Sequence, residues 1–301
     1  MLKGNNMNKA LTEKWAKYGI LKGIEEDYKD VVAQVLENQR VANESTSFDA
    51  AFKRLSIPLV RRIFGGISLL NKLISIQPLD KPAGLIRYIN NNKETIKQAT
   101  ASTFKTKSVW DISFVQDVAF GAGVNAEAEL AAIIAQDLAI EITRKVLVNI
   151  KNSAALRKVL VFTNPKSARI EILDFIEEIR KRHHRPKSNW LVTSPEVASS
   201  LFNSQNNKHE SLGLIYWGIW EDINVYVDSL APMSRMILGY KGEISFDSGY
   251  VYSPYVPLNL TAVILNPDTF APRRNIMHQS SDLMVDNTYY ASVEIANFNQ
   301  D

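Results

Sequence analysis

The chain has no cysteine, and only four of its 301 residues are histidine. The first absence excludes disulfides and thiolate metal sites, and it fits synthesis in a reducing compartment. The second leaves little material for a histidine-based triad or metal centre. An excess of one charge is missing too: 35 Lys and Arg stand against 32 Asp and Glu, a formal net charge of +3. Such a balance gives no polybasic coat for tight nucleic-acid binding. No apolar run approaches the ~20 residues that span a bilayer. The start, Met1-Leu-Lys-Gly-Asn-Asn6, runs into charged residues without an apolar segment, so no signal peptide is expected. What the chain does have is apolar mass. At 46% hydrophobic residues it can bury a substantial core, as one large or two modest domains.

Catalytic patterns are equally scarce. His183 and His184 are adjacent, so on a helix they point apart, and no carboxylate follows at ligand spacing. His209 and His278 stand alone in polar surroundings, where surface placement is expected. There is no Gly-x-Ser-x-Gly elbow. Neither Gly65-Gly66 nor Gly239…Gly242 leads into the Lys-Ser or Lys-Thr pair of a phosphate loop. The basic run Arg180–Arg185 reads as a helix end complementing its dipole, with nucleic-acid contact as the rival reading. No catalytic residue, cofactor or metal site is assigned.

Periodicity supplies the architecture. Leu11, Trp15 and Tyr18, then Tyr28, Val31, Val32, Val35 and Leu36, predict two helices within 8–45, separated by Gly19 and Gly23. A polar break caps a short helix through Phe52 and Leu55, and mixed structure is expected from Pro58 to Ile76. Residues 84–115 read as a projecting hairpin. Leu85, Arg87 and Ile89 alternate with Ile86 and Tyr88, a polar loop follows, and Val109–Val115 returns. Its lysines, Lys93, Lys97, Lys105 and Lys107, face solvent or a neighbouring subunit. A helix over 125–148 is the clearest element, N-capped by Asn125, with a stripe of Leu130, Ile133, Ile134, Leu138, Ile142 and Val146. A second runs over 167–181 through Ile170, Leu173, Ile176 and Ile179. Trp190–Thr193 reads as a buried strand, Pro195–Leu201 as a short helix, and the chain from Leu212 as β-rich.

The most distinctive segment is Gly239–Leu258, in which two glycine turns meet an aromatic strand broken by Pro254 and Pro257. It has the character of a packing surface, not of a pocket. Several separated segments resemble, in the right order, the major capsid proteins of T-even-type (myovirus) tailed phages. They are Leu11–Ala16 with Val31–Gln39, Pro58–Phe64 with Ile76–Leu79, Asn125–Ala135 with Glu141–Val146, Leu191–Ala198, Val225–Asp228, Gly239–Leu258 and Asn266–Arg273.

That resemblance implies an α+β, HK97-like capsid fold, with an N-arm, an E-loop, a P-domain holding a long spine helix, and an A-domain. Mapped on this chain, 1–57 would be an N-terminal helical segment and 58–83 the lead-in to the P-domain. The E-loop would occupy 84–118, the spine 119–150, most of the A-domain 151–260, and the return to the P-domain 261–301. It further implies a structural, non-enzymatic subunit of the virion, assembled in the bacterial cytoplasm. The subunit would join copies of itself as hexamers and pentamers around double-stranded DNA that it binds without sequence preference. Scaffold, prohead protease, portal, and vertex or decoration proteins would be further partners, and no membrane is involved. Arg61, Arg62 and Arg87 would pair with adjacent subunits, and Tyr240, Tyr250, Tyr252 and Tyr255 suit interfaces through apolar rings with a hydroxyl. A maturation protease cutting after glutamate finds a candidate bond at Glu44–Ser45, which would make the N-terminal helices removable. An encapsulin-like compartment and a soluble enzyme with dispersed catalytic residues are the rival functions.

Overall fold

The computed structural model of the chain describes residues 2–46, 48, 50–90, 93–111, 124–183, 186, 188–202, 209–210, 213–232, 234–268, 270 and 272–298. Three helices come first: α1 (Leu2–Lys17), α2 (Lys29–Ser45) and α3 (Ala50–Gly66). Gly19 and Gly23, at φ 72° and 81°, turn the chain between α1 and α2. Apolar residues at helical spacing on α2, Val32, Val35 and Leu36, are fully buried, and Phe52, Leu59, Ile63 and Phe64 of α3 join them in the main core.

The expected break at Pro58 does not occur. α3 runs unbroken through the proline. Pro58 and Arg54, whose carbonyl loses its helical donor, both lie on the exposed side, where water can take the donor's place. The boundary between 57 and 58 therefore falls inside one helix.

Strands β1 (Ser75–Ile76), β2 (Ala83–Asn90), β3 (Lys93–Thr100) and β4 (Ser102–Asp111) follow. The polar stretch read as a loop is itself a strand. β3 pairs with β2 along its whole length, from Ala83↔Thr100 to Asn90↔Lys93. A ribbon bathed in solvent needs backbone pairing but no apolar alternation, so periodicity had no signal to give. Of the returning strand expected over 109–115, residues 109–111 form the end of β4, which pairs with β14 and not with β2, and 112–115 lie outside the described residues.

The long helix is α4 (Val124–Ser153), 30 residues, or about 45 Å. Ile134, Leu138, Ile142 and Val146 form its buried stripe, whereas Ile133, expected there, is 59% exposed. Asn125 lies within the helix, and any cap preceding it falls outside the described residues. Next come β5 (Leu156–Val161), α5 (Pro165–His183), β6 (Trp190–Thr193) and α6 (Pro195–Leu201). On α5 the inward residues are Ile172, Phe175, Ile176 and Ile179, and Ile170 is exposed. Ser194 caps α6, its hydroxyl accepting from Val197 N, with Pro195 at the first helical position.

The remaining strands are β7 (His209–Glu210), β8 (Ile215–Trp220), β9 (Ile223–Val227), β10 (Arg235–Gly239), β11 (Tyr250–Pro254), β12 (Asn259–Leu260), β13 (Ile264–Leu265), β14 (Pro272–Met284) and β15 (Tyr290–Ala296). They build two sheets. The seven-stranded sheet has the order β5-β15-β10-β6-β9-β8-β7, with β5–β15 and β6–β9 parallel. One face, through Val192, Tyr226 and Ile237, belongs to the core shared with α4 and the N-terminal helices. The other, through Leu191, Val225, Leu238, Val293 and Ile295, is covered by α5 and α6. The second sheet is built around β14, which pairs with β11, β12, β13 and β4. The C-terminal region is thus divided: β12–β14 stay in this sheet, and β15 crosses into the other.

A polar knot ties α4 to the second sheet. Asn149 donates to the Tyr250 hydroxyl (3.0 Å), which donates to Asp282 (3.2 Å). Asp282 also pairs with Lys145, whose ammonium sits over the Phe104 ring. His278 stacks on that ring at 5.3 Å. Contrary to the surface placement expected of it, His278 is 4% exposed, because β14 alternates and turns Ile276, His278 and Ser280 inward. Neither ring nitrogen has a hydrogen-bond partner. Burial, and secondarily the Lys145 charge, push its pKa down to about 4.

Three outcomes are expected. Above the unfolded-state value of 6.5, His278 is neutral in both states and adds no pH dependence. Between 6.5 and about 4 only the unfolded chain takes up the proton, so stability falls with pH, by about 3 kcal/mol in all, and then levels off. His278→Phe keeps the stack and should flatten that part of the pH–stability curve measured by denaturant titration. At Gly239 a Cβ would collide with the buried Trp190 indole, so Gly239→Ala should cost about 1–3 kcal/mol in the same assay. Asn38→Ala should cost about 1–3 kcal/mol, because the Asn38 amide donates to the buried carbonyls of Leu79 (2.6 Å) and Tyr255 (2.8 Å).

Candidate assembly surfaces

The β2–β3 hairpin forms a two-stranded sheet of its own, separate from both larger sheets. Only its root is anchored. Ile86 and Ala99 are buried against Leu79 and Val251. The Gln77 side chain acts as a substitute strand: its amide donates to Arg87 O (2.6 Å) and its carbonyl accepts from Arg87 N (2.8 Å). Because Arg87 pairs with Ile96 and Leu85 with Gln98, Leu85 and Ile96 share one face. They are 72% and 56% exposed. Two exposed aliphatic side chains on a narrow ribbon, with Arg87 between them on the same face, are covered by nothing among the described residues and have the character of a surface suited to contact.

The expected contact residues divide into two groups. Arg62 and Arg87 are exposed, as are Lys93, Lys97 and Lys105. Arg87 makes one loose ion pair with Glu94, at 3.7 Å, leaving its guanidinium largely uncommitted. The Lys107 side chain lies outside the described residues, as do those of His183, His184, Arg185 and His209. Arg61 is committed internally, donating to Ile20 O (3.1 Å) and Lys22 O (2.7 Å), where it fastens the turn between α1 and α2.

The tyrosines are corrected by burial. Tyr240, Tyr250 and Tyr252 are core residues of this chain and offer no surface to a neighbour. Tyr250 is held by the polar knot, and Tyr240 packs edge-on against Tyr289 at 5.7 Å. Tyr255 alone is half-buried. Period-2 alternation in an aromatic strand predicts one exposed face, but β11 lies between β1 and β14 with α4 against it, so both faces are enclosed.

The N-terminal helices are not a detachable extension in this structure. Tyr28, Val32, Ala33, Val35 and Leu36 fill the main core. Gln39 accepts from Leu258 N (3.0 Å), alongside the two bonds from Asn38. The Glu44–Ser45 bond lies in the last turn of α2, with Glu44 paired to Arg40 and the Ser45 hydroxyl on Val41 O. A cut there deletes part of the core and leaves three backbone groups without partners. Sequence reasoning missed Asn38, Gln39 and Gln77. Gln39 did carry a signal, since it continues the 32–35–36 apolar stripe of α2 and a polar residue on such a stripe must find buried partners.

Among solved structures, a virus-like particle from Pyrococcus furiosus aligns over 82% of this chain and 100% of its own, with a TM-score of 0.51 and 13% identity. That likeness concerns the fold, which is HK97-like. Among curated proteins, the major capsid protein of Vibrio phage KVP40 is 25% identical over 200 residues, and that of Enterobacteria phage T6 is 25% identical over 201. These stretches make up 52% of this chain but only 38% and 39% of those relatives. The family model described as Major capsid protein Gp23 matches residues 95–300, which take in most of β3, the whole seven-stranded sheet and all of the second sheet except β1, so the chain belongs to the Gp23 major capsid protein family.

Proposed function

We propose that this protein is a structural shell subunit, which joins copies of itself as hexamers and pentamers into an icosahedral head around double-stranded DNA. The observation that carries this reading is the anchored hairpin with Leu85 and Ile96 in solvent, in a chain whose family is named for the major capsid protein. A subunit in a closed shell must meet neighbours through heterologous contacts that close on themselves. A stiff ribbon fixed only at its root reaches beyond the subunit body without enlarging the core. On this reading β2–β3 is the reaching element, with Arg87, Lys93 and Lys97 at its edges, and α4 is the rod on which the body is built. Residues 151–260 with β15 face the centre of each ring. No bond-making step is assigned, and location in the virion capsid follows. Scaffold, prohead protease, portal, and vertex or decoration proteins are the partners such a subunit would meet during assembly in the host.

Purified chain should sediment as capsomers or megadalton shells and show rings or closed particles by electron microscopy. A monomer at every concentration tested sinks the reading. Leu85→Asp combined with Ile96→Asp alters only exposed positions, so thermal stability should change little while assembly falls at least tenfold.

A further inference from the structure

At one corner of the seven-stranded sheet, the cover provided by α4 runs out. The helix ends at Ser153, and the face it shields continues beyond it. Ile237 is buried in the core shared with α4, and Ser292 lies directly opposite it. One step outward on the same face, Arg235 stands opposite Glu294, and Glu294 opposite Val159. Val159 is 57% exposed, which marks where the helix no longer covers the sheet. The result is a cleft of about 390 Å³, whose lining includes Lys151 from α4, Arg157 from β5, Arg235 from β10, Ser234, Ser292 and Glu294.

Three cations from three elements thus line the cleft with one carboxylate, and Arg235 also feels the buried Asp228 carboxylate, which is outside the lining. None of Lys151, Arg157 and Arg235 forms an ion pair among the described residues. Lys158, the neighbour of Arg157, is different: strand alternation turns it to the α5 side, where it pairs with Glu178 at 2.7 Å. Arg157 is already oriented, because one of its amino groups donates to Asn152 O at 2.6 Å in the last turn of α4. That bond also occupies a terminal carbonyl whose partial negative charge would repel an anion. The rest of the guanidinium fork has no partner among the described residues, and such a fork fits tetrahedral oxyanions in a two-point grip.

We propose that this cleft binds a phosphate group. Arg157 and Arg235 grip its oxygens, Lys151 adds charge, and Ser234 and Ser292 donate hydroxyl hydrogen bonds. Glu294 weakens the site and keeps it from being permanently filled. The same chemistry is carried by free phosphate and by the phosphodiester backbone of DNA. The inference stands apart from shell assembly, since a monomer would have the same cleft.

The test uses the full chain and two probes at low ionic strength: inorganic phosphate by titration calorimetry, and a short fluorescein-labelled DNA duplex by anisotropy. The expected result is saturable binding of at least one probe, weakened tenfold or more by Arg157→Gln with Arg235→Gln. Glu294→Gln should strengthen it severalfold, an effect that a merely unfolded variant cannot produce. All three side chains are at least partly exposed, so their loss should leave the thermal midpoint close to that of the parent chain. Binding of phosphate identifies a small-ion site. Binding of the duplex alone, with a salt slope reduced by one or two in the double variant, identifies backbone phosphate as the ligand. If neither probe binds, or if binding is indifferent to both arginines and to Glu294, the proposal is wrong.

Discussion

The structure depends on satisfying the backbone of a buried strand that cannot satisfy itself. Tyr250–Leu258 is enclosed almost throughout, yet Pro254 and Pro257 deprive it of donors and break its ladder. Many of its groups are met from other elements. Gln77 N donates to Tyr252 O and Leu79 N to Pro254 O, extending the short parallel pairing with β1. Gln279 of β14 exchanges bonds with Tyr255 and Val256. The last two partners come from side chains of α2: Asn38 to Tyr255 O and Gln39 to Leu258 N. An unmade bond at any of these points would cost about 1–3 kcal/mol, a large share of a typical stability.

This arrangement explains why the N-terminal helices, the hairpin root and the second sheet form one body. Residues 77–79 pair with β11, and Gln77 then hands the same alignment to β2 through Arg87. The hairpin's direction is therefore set by a fully buried strand, although most of the hairpin's own residues are exposed. Lys241 closes the other end of the segment. Its ammonium donates to Asn71 O in a half-buried site, and desolvation pushes its pKa down to about 8. The aromatic residues that look made for an interface serve this inner purpose, and the surface for partners is left to two aliphatic side chains on a polar ribbon.

How much of this could be read from the sequence depended on whether one face of an element meets water. α2, α4, α5, β6 and α6 are amphipathic or wholly apolar, and their positions follow from periodicity with errors of a few residues. Ile133 and Ile170 were misplaced because each sits at the margin of its stripe, where tertiary packing decides. β3 was invisible because all of it except Ala99 at the root is at least partly solvated. The continuity of α3 was hidden because proline disfavours a helix interior, a local cost that burial of Phe52, Leu59, Ile63 and Phe64 on the other face outweighs. The β8–β9 turn at Glu221 and Asp222, with φ of 49° and 62°, carries none of the glycine or asparagine that marks such turns. Of the surface residues, Leu85 was seen as a strand former and Ile96 as part of a polar loop, and neither as a contact. Family resemblance supplied the architecture that local patterns could not, namely which strands meet across the chain.

The bond from Asn38 to Tyr255 joins residues 217 positions apart. During translation α2 leaves the ribosome long before its partner strand exists. At about 5–20 residues per second the wait is roughly 10–40 s. For that interval its apolar stripe and two amides must be hydrated, held by a chaperone or paired provisionally with α1 and α3. The rate at which usable subunits appear is then governed by how quickly the distal aromatic segment is synthesised and captured, not by how fast any single helix forms.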